Sequence, residues 1–313
     1  MQKRGIGMQS IMNVLSKALP VFVVLALGVL VRKKKMISRA GISDMKSFVV
    51  NITLPFVMFS AFAKAEYTIN AIITPLVIFA SCVIMLLLGH VGCRVLKTGG
   101  KLSPYLATGF EAGMLGYALF ALLFPDEKTA AFALIDLGQV LFVFTVYKAL
   151  LAGRGNLKSV VMEAVKAPTV WGIALGLIFG ATGLFEKLTP SGVSGVLDSI
   201  ASFIAAPTSA VILLTIGYDL APGEINWKKT GKLALVRIAV SFVVLGAVIL
   251  IDRFVLGSMM HLGALVLMFT LPPPYVLPVF ADVETERADI SSALSALTLV
   301  SIVLFMLLTV IFR

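Results

Sequence analysis

Two short stretches of this sequence carry residues that an uninterrupted apolar helix would not choose. The first reads Gly109-Phe110-Glu111-Ala112-Gly113-Met114-Leu115-Gly116 and the second Leu271-Pro272-Pro273-Pro274-Tyr275-Val276-Leu277-Pro278. Proline removes a backbone donor and clashes with the preceding turn, and clustered glycine weakens a helix. Both stretches interrupt long apolar runs, so the backbone freed there must line a cavity buried in protein or filled with water. The chemistry this offers is anion binding. The amino ends of half-helices present N–H groups and partial positive charge to an anionic ligand without a buried lysine. One such stretch alone reads equally well as a kink with glycines for close helix packing. Two at corresponding places point to a binding site.

Ionisable and amide side chains inside the apolar runs are the next candidates. Glu111 stands at the first interruption, where a carboxylate costs about 2.5–3.5 kcal/mol unless it is paired, hydrated or protonated. It is therefore expected to face the cavity as a proton or cation site; its structural alternative is a carboxyl bonded to a neighbouring helix. Asp136 and Gln139 lie three residues apart on one helical face and join Glu111 as candidate ion or proton ligands. Asp136 sits about two turns from the outer end of its span. Arg237 and Lys148 are read as snorkelling side chains near cytoplasmic ends. His90 and His261 are read as packing residues. The sequence contains neither a His-Glu-x-x-His helix nor a phosphate-cradling Walker loop, so a zinc protease and an ATP-driven pump lack their chemistry and no enzyme is expected.

The elements that position these residues follow from composition and spacing. The 313 residues are 59% hydrophobic and 13% charged, with a mean hydropathy of +1.03, far more apolar than a soluble domain. A span needs roughly 20 apolar residues. About ten such stretches fill the chain: Ile11 to Val31, Met45 to Ala63, Ile72 to Leu96, Leu102 to Phe124, Thr129 to Ala152, Pro168 to Leu184, Val193 to Asp219, Leu233 to Ile251, Met259 to Ala281 and Ile290 to Phe312. The net charge of +10 comes from basic clusters between the runs, with no basic aromatic face for nucleic acid. Cys82 and Cys93, within one run, suggest neither a disulfide framework nor a metal site. The first, third, fifth and seventh loops carry fourteen Lys and Arg residues and the even-numbered loops only Lys64, Lys128, Lys187 and Arg253. Basic loops stay cytoplasmic, which puts both termini outside; the acidic ninth loop (Glu284, Glu286, Asp289) is placed inside by continuity.

Five spans plus five allow two halves inserted in opposite orientations. Each half has a proline in its second helix (Pro55, Pro207), an interrupted fourth helix, and a polar pair three residues apart in its fifth (Asp136 and Gln139; Thr298 and Ser301).

The chain resembles the auxin efflux carrier, or PIN-like, family of permeases over nearly its whole length. The resemblance rests on Asn51-Ile52-Thr53-Leu54-Pro55, Gly113 to Gly116, Asp136-Leu137-Gly138-Gln139, Pro207 with Ile216-Gly217-Tyr218-Asp219-Leu220, and Pro272 to Pro274. It implies an all-α polytopic membrane protein of ten helices in two inverted five-helix repeats, residues 1–152 and 153–313, whose broken helices four and nine cross at mid-membrane. Helices 1, 2, 6 and 7 would form a scaffold able to dimerise. Helices 3–5 and 8–10 would form a domain moving by an elevator mechanism. It places a small organic anion at the crossing, against Asn51, Pro55, Glu111, Gly113, Gly116, Pro272, Pro273, Pro274 and Tyr275. Where family members commonly carry an asparagine before the break in helix four and a proline after it, this chain has Glu111 and Tyr117. The expectation is a multi-pass carrier in the plasma membrane lipid, with no cofactor unless Na+ or H+ is a coupling ion. Two alternatives are a sodium- or proton-coupled symporter of the bile-acid transporter type and a membrane scaffold that binds a ligand without moving it.

Overall fold

Apolar runs of about 20 residues satisfy their own backbone only as helices, and helices are what the chain forms. The computed structural model describes residues 19–64, 70–125, 129–151, 166–220, 227–277 and 287–312, and no strand occurs among them. Residues 11–18 of the first expected span, the boundary at 152 and 153, Pro278, Glu284 and Glu286 lie outside the described residues.

Apart from a single turn over Leu184–Lys187, the α-helices among the described residues are α1 (residues 19–33), α2 (Arg39–Ala63), α3 (Asn70–Val95), α4 (Tyr117–Leu123), α5 (Thr129–Leu151), α6 (Pro168–Ala181), α7 (Val193–Asp219), α8 (Trp227–Phe254), α9 (Leu262–Thr270) and α10 (Arg287–Ile311). Among the described residues, six of them are long and apolar enough to cross a membrane: α2, α3, α5, α7, α8 and α10. Large apolar side chains stand exposed on their outer surfaces, Phe203, Leu235 and Leu307 among them. On helices of this length such side chains are solvated by lipid.

Local chemistry explains the ends and bends. Ser38 caps α2 by accepting from the Gly41 amide at 3.0 Å, which satisfies one of the amides that a helix start leaves without a partner. Eleven residues after this cap, α2 widens by a turn over Val49–Thr53 just before Pro55, because the proline supplies no N–H and its ring crowds the preceding turn. α7 is interrupted at Ala206-Pro207 for the same reason. α8 begins at Trp227, six residues before the expected start of its span, so Lys228, Lys229 and Lys232 lie on its first turns and not in a loop.

Small residues set which helices touch. A Cβ on Gly172 of α6 would fall 2.8 Å from the Pro55 Cα of α2, and one on Gly138 of α5 would fall 2.8 Å from the Ile78 Cβ of α3. Backbones this close are the mode of packing available where lipid supplies no hydrophobic drive between helices. α1 and α7 meet likewise through Gly28 and Gly217. α7 is tied to α2 by the ion pairs Lys46 with Asp219 and Lys64 with Asp198; both pairs are partly exposed and contribute little each. Gly172→Val is expected to lower stability by about 1–3 kcal/mol through overpacking, whereas Gly195→Val, whose Cβ would meet nothing within 4 Å, should leave it unchanged. Thermal melting of the two variants in one detergent compares them.

Candidate functional site

Between α3 and α4 the chain leaves the helical path at mid-sequence of the fourth run. A tight turn over Ser103–Ala107 gives way to extended backbone at Thr108. Gly109 then takes φ +66°, a left-handed conformation that a side chain would strain. Helix resumes with a wide turn over Ala112–Gly116 that runs into α4. The ninth run breaks in the same manner: α9 ends at Thr270, Leu271 is extended, and Pro272 to Pro274 admit no helix until a turn closes from the Leu277 amide to the Pro274 carbonyl at 3.2 Å.

The two breaks lie against each other. The Glu111 amide donates to the Pro272 carbonyl at 2.9 Å, and the Glu111 carboxylate accepts from the Tyr275 amide at 2.6 Å. One residue of the first break thus bonds the second at two points. A Cβ on Gly109 would sit 2.8 Å from Cγ of Pro274, and one on Gly116 would sit 2.8 Å from Cδ1 of Leu271 and 2.7 Å from Cζ of Phe132. The glycines are what lets the two chains approach.

A third element holds the junction. Arg237, on α8 about 15 Å from its start, is 4% exposed. Its guanidinium donates to the Leu106 and Gly109 carbonyls at 2.9 Å each and to the Leu271 carbonyl at 2.7 Å, and lies 5.8 Å from the centre of the Phe110 ring. The carbonyls that each break leaves without a helical partner are thereby satisfied by one cation. This overturns the snorkelling expected of Arg237: starting α8 at Trp227 moves the residue inward, and the planar fork reaches acceptors on two segments. Lys148 is buried as well.

A second polar cluster lies on the far side of α4. Asp136 on α5 is 1% exposed and accepts from the Gln139 amide nitrogen at 3.3 Å. The Tyr117 hydroxyl lies against the same carboxyl, close enough to act on it as a donor though outside ordinary hydrogen-bond geometry, and Oε1 of Gln139 has no partner. The corresponding place in the second half holds Tyr275 and Thr298, whose hydroxyls do bond, at 2.7 Å.

Of the residues expected at the site, Glu111, Gly116, Pro272, Pro274 and Tyr275 come together, with Pro273 between its neighbours on the same strand of chain. Gly113 faces Leu54 of α2, at 3.5 Å from its Cβ position. Asn51 is exposed and donates to Ser47, and Pro55 packs on Gly172; neither joins the junction. Asp136 and Gln139 are brought together, and Glu111 is bonded elsewhere. His261 caps α9 by accepting from the Ala264 amide at 3.0 Å and packs on Phe124, a structural role. Arg237 and Tyr117 were missed by the sequence reading. An arginine inside a long apolar run is the signal that could have found the first.

Residues 13–156 match the family described as membrane transport protein. A protein of Methanothermobacter thermautotrophicus, described as an uncharacterized transporter, is 24% identical over 209 residues, which cover 64% of this chain and 66% of that relative. The matched region is thus just under two thirds of the relative's length.

Proposed function

We propose that the chain is a permease of the auxin efflux carrier type, on the match of residues 13–156 to the membrane transport protein family, and that it is a secondary carrier of a small organic anion whose binding site is the junction of the two broken segments. The observation that carries this reading is the Glu111, Tyr275 and Arg237 arrangement. Two non-helical segments are bonded to each other by polar groups inside an apolar protein, at the place where discontinuous helices expose backbone to a ligand. Helix packing supports a division of labour. α1, α2, α6 and α7 contact one another through glycines and two ion pairs, whereas α3 packs on α5 and α8, and α8 on α10. We assign the first group as scaffold and the second, with α4 and α9, as the moving domain of an elevator. Each group draws helices from both of the inverted repeats expected of residues 1–152 and 153–313. The fourteen Lys and Arg in or at the helix ends beside alternate loops support a plasma-membrane protein oriented with both ends outside, and the outward apolar face of the scaffold suits a homodimer.

Glu111 gives the reading its first test. Gln keeps a carbonyl oxygen for the Tyr275 amide, so Glu111→Gln should fold and insert as the parent does. If a substrate carboxylate seats beside Tyr275, removing the resident negative charge should tighten anion binding several-fold, read as increased thermal stabilisation by small carboxylates. Unchanged stabilisation by every carboxylate in the panel would move the site away from Glu111. Stabilisation that requires sodium would favour the coupled symporter.

A further inference from the structure

Asp136 is a carboxyl in the membrane interior with one long hydrogen bond, from Gln139 at 3.3 Å. It is 1% exposed. A bare carboxylate with so little compensation is expensive in such surroundings. Two further polar atoms, the Tyr117 hydroxyl and Oε1 of Gln139, are buried beside it without a hydrogen bond of ordinary geometry. The other half of the chain shows what the same placement does without a charge. There the tyrosine following the break, Tyr275, closes a 2.7 Å bond on Thr298, the residue that matches Asp136 by position in its half. The neutral pair closes a short bond; the tyrosine against the carboxyl is held outside ordinary hydrogen-bond geometry.

We propose that Asp136, Tyr117 and Gln139 form a proton site separate from the Glu111 junction, with Asp136 a carboxylic acid in this state. One O–H bond forms on the carboxylate with a proton taken from water and breaks by returning it to water on the other side; no other bond changes. A proton suits the cluster better than a metal ion, which takes a shell of several oxygens, while the side chains here offer one carboxyl, one amide oxygen and one phenol. The ionisable groups facing Asp136 are few. α4 contributes Tyr117 and α3 contributes Cys82. α9 contains no ionisable residue, nor does α2 between Val49 and Ala63. Arg237 also acts on Cys82 and is taken up by three carbonyls.

This inference rests on the carrier reading only for its consequence in transport, so its first test does not use flux. Infrared difference spectra of the purified full chain at neutral pH, with and without sodium, read the C=O stretch of a buried carboxylic acid. The band should be present in the parent and in Glu111→Gln, absent in Asp136→Asn, indifferent to sodium, and shifted in Tyr117→Phe. Absence of the band, its loss in Glu111→Gln, its removal by sodium, or an unshifted band in Tyr117→Phe would each overturn the assignment. Where the band behaves as expected, Asp136→Asn in proteoliposomes should lose pH-driven uptake and keep substrate exchange. Loss of neither would separate the proton site from coupling, and absence of any flux in the parent would count against the carrier and not against the protonated carboxyl.

Discussion

Arg237→Ala should be the most damaging single substitution in the molecule. It removes the donor to the Leu106, Gly109 and Leu271 carbonyls and leaves three buried acceptors that neither water nor lipid can satisfy. Breaking a buried charged network of this kind costs about 3–5 kcal/mol, so the expected result is poor recovery from detergent and a large fall in melting temperature. Arg237→Lys keeps the charge and three donors but not the planar fork; it should fold, with an intermediate loss. Arg237→Met, which fills the volume without a donor, should resemble Ala. If Arg237→Met melts with the parent, the guanidinium is not what holds the two breaks together.

The second large effect belongs to Gly109. Its φ of +66° is strained for any residue with a side chain, by about 1–3 kcal/mol, and a Cβ would also press on Pro274 at 2.8 Å. Gly109→Val should push the breaks apart and abolish ligand-induced stabilisation while the helices themselves still form, because the strain falls between elements. The comparison is Gly99→Val, also at positive φ (+66°) but with open space around the Cβ. That variant should show the backbone strain and keep ligand binding. Equal ligand responses in the two would mean that close approach at the junction is unimportant. The structure likewise recommends Gly116→Ala over Gly116→Leu as a probe of binding, since the first Cβ already meets Phe132 and Leu271 and a leucine would overpack the core.

Much of the helix order was legible in the sequence, because apolar length and proline placement act locally. The runs from Met45 to Ala63 and from Thr129 to Ala152 reappear as α2 and α5 with ends moved by a few residues, as caps and basic first turns extend helices beyond their apolar cores. The interruptions at Gly109 to Gly116 and Leu271 to Tyr275 were legible for the same reason. What could not be read was which groups meet across them. Glu111 was visible as a costly carboxyl, but its bond to the Tyr275 amide joins residues 164 positions apart. Arg237 was assigned to the cytoplasmic end because its span was counted from Leu233; the helix starts at Trp227, and only the folded arrangement shows the three carbonyls it serves. Asn51 and Pro55, singled out by resemblance, sit on the α2 surface and its contact with α6. Tyr117, noted in the sequence only as a departure from the family's proline after the break, acquires its interest from Asp136 beside it.

The most direct test of the account is time-resolved uptake of radiolabelled small carboxylates into proteoliposomes containing the parent protein, beside Gly109→Val as the variant with the junction forced open. The account predicts saturable, time-dependent accumulation of at least one carboxylate by the parent and none by Gly109→Val, with both proteins inserted equally. Saturable binding without accumulation in the parent would contradict it and leave a membrane ligand-binding scaffold; accumulation undiminished in Gly109→Val would place the transport path away from the junction of the two broken segments.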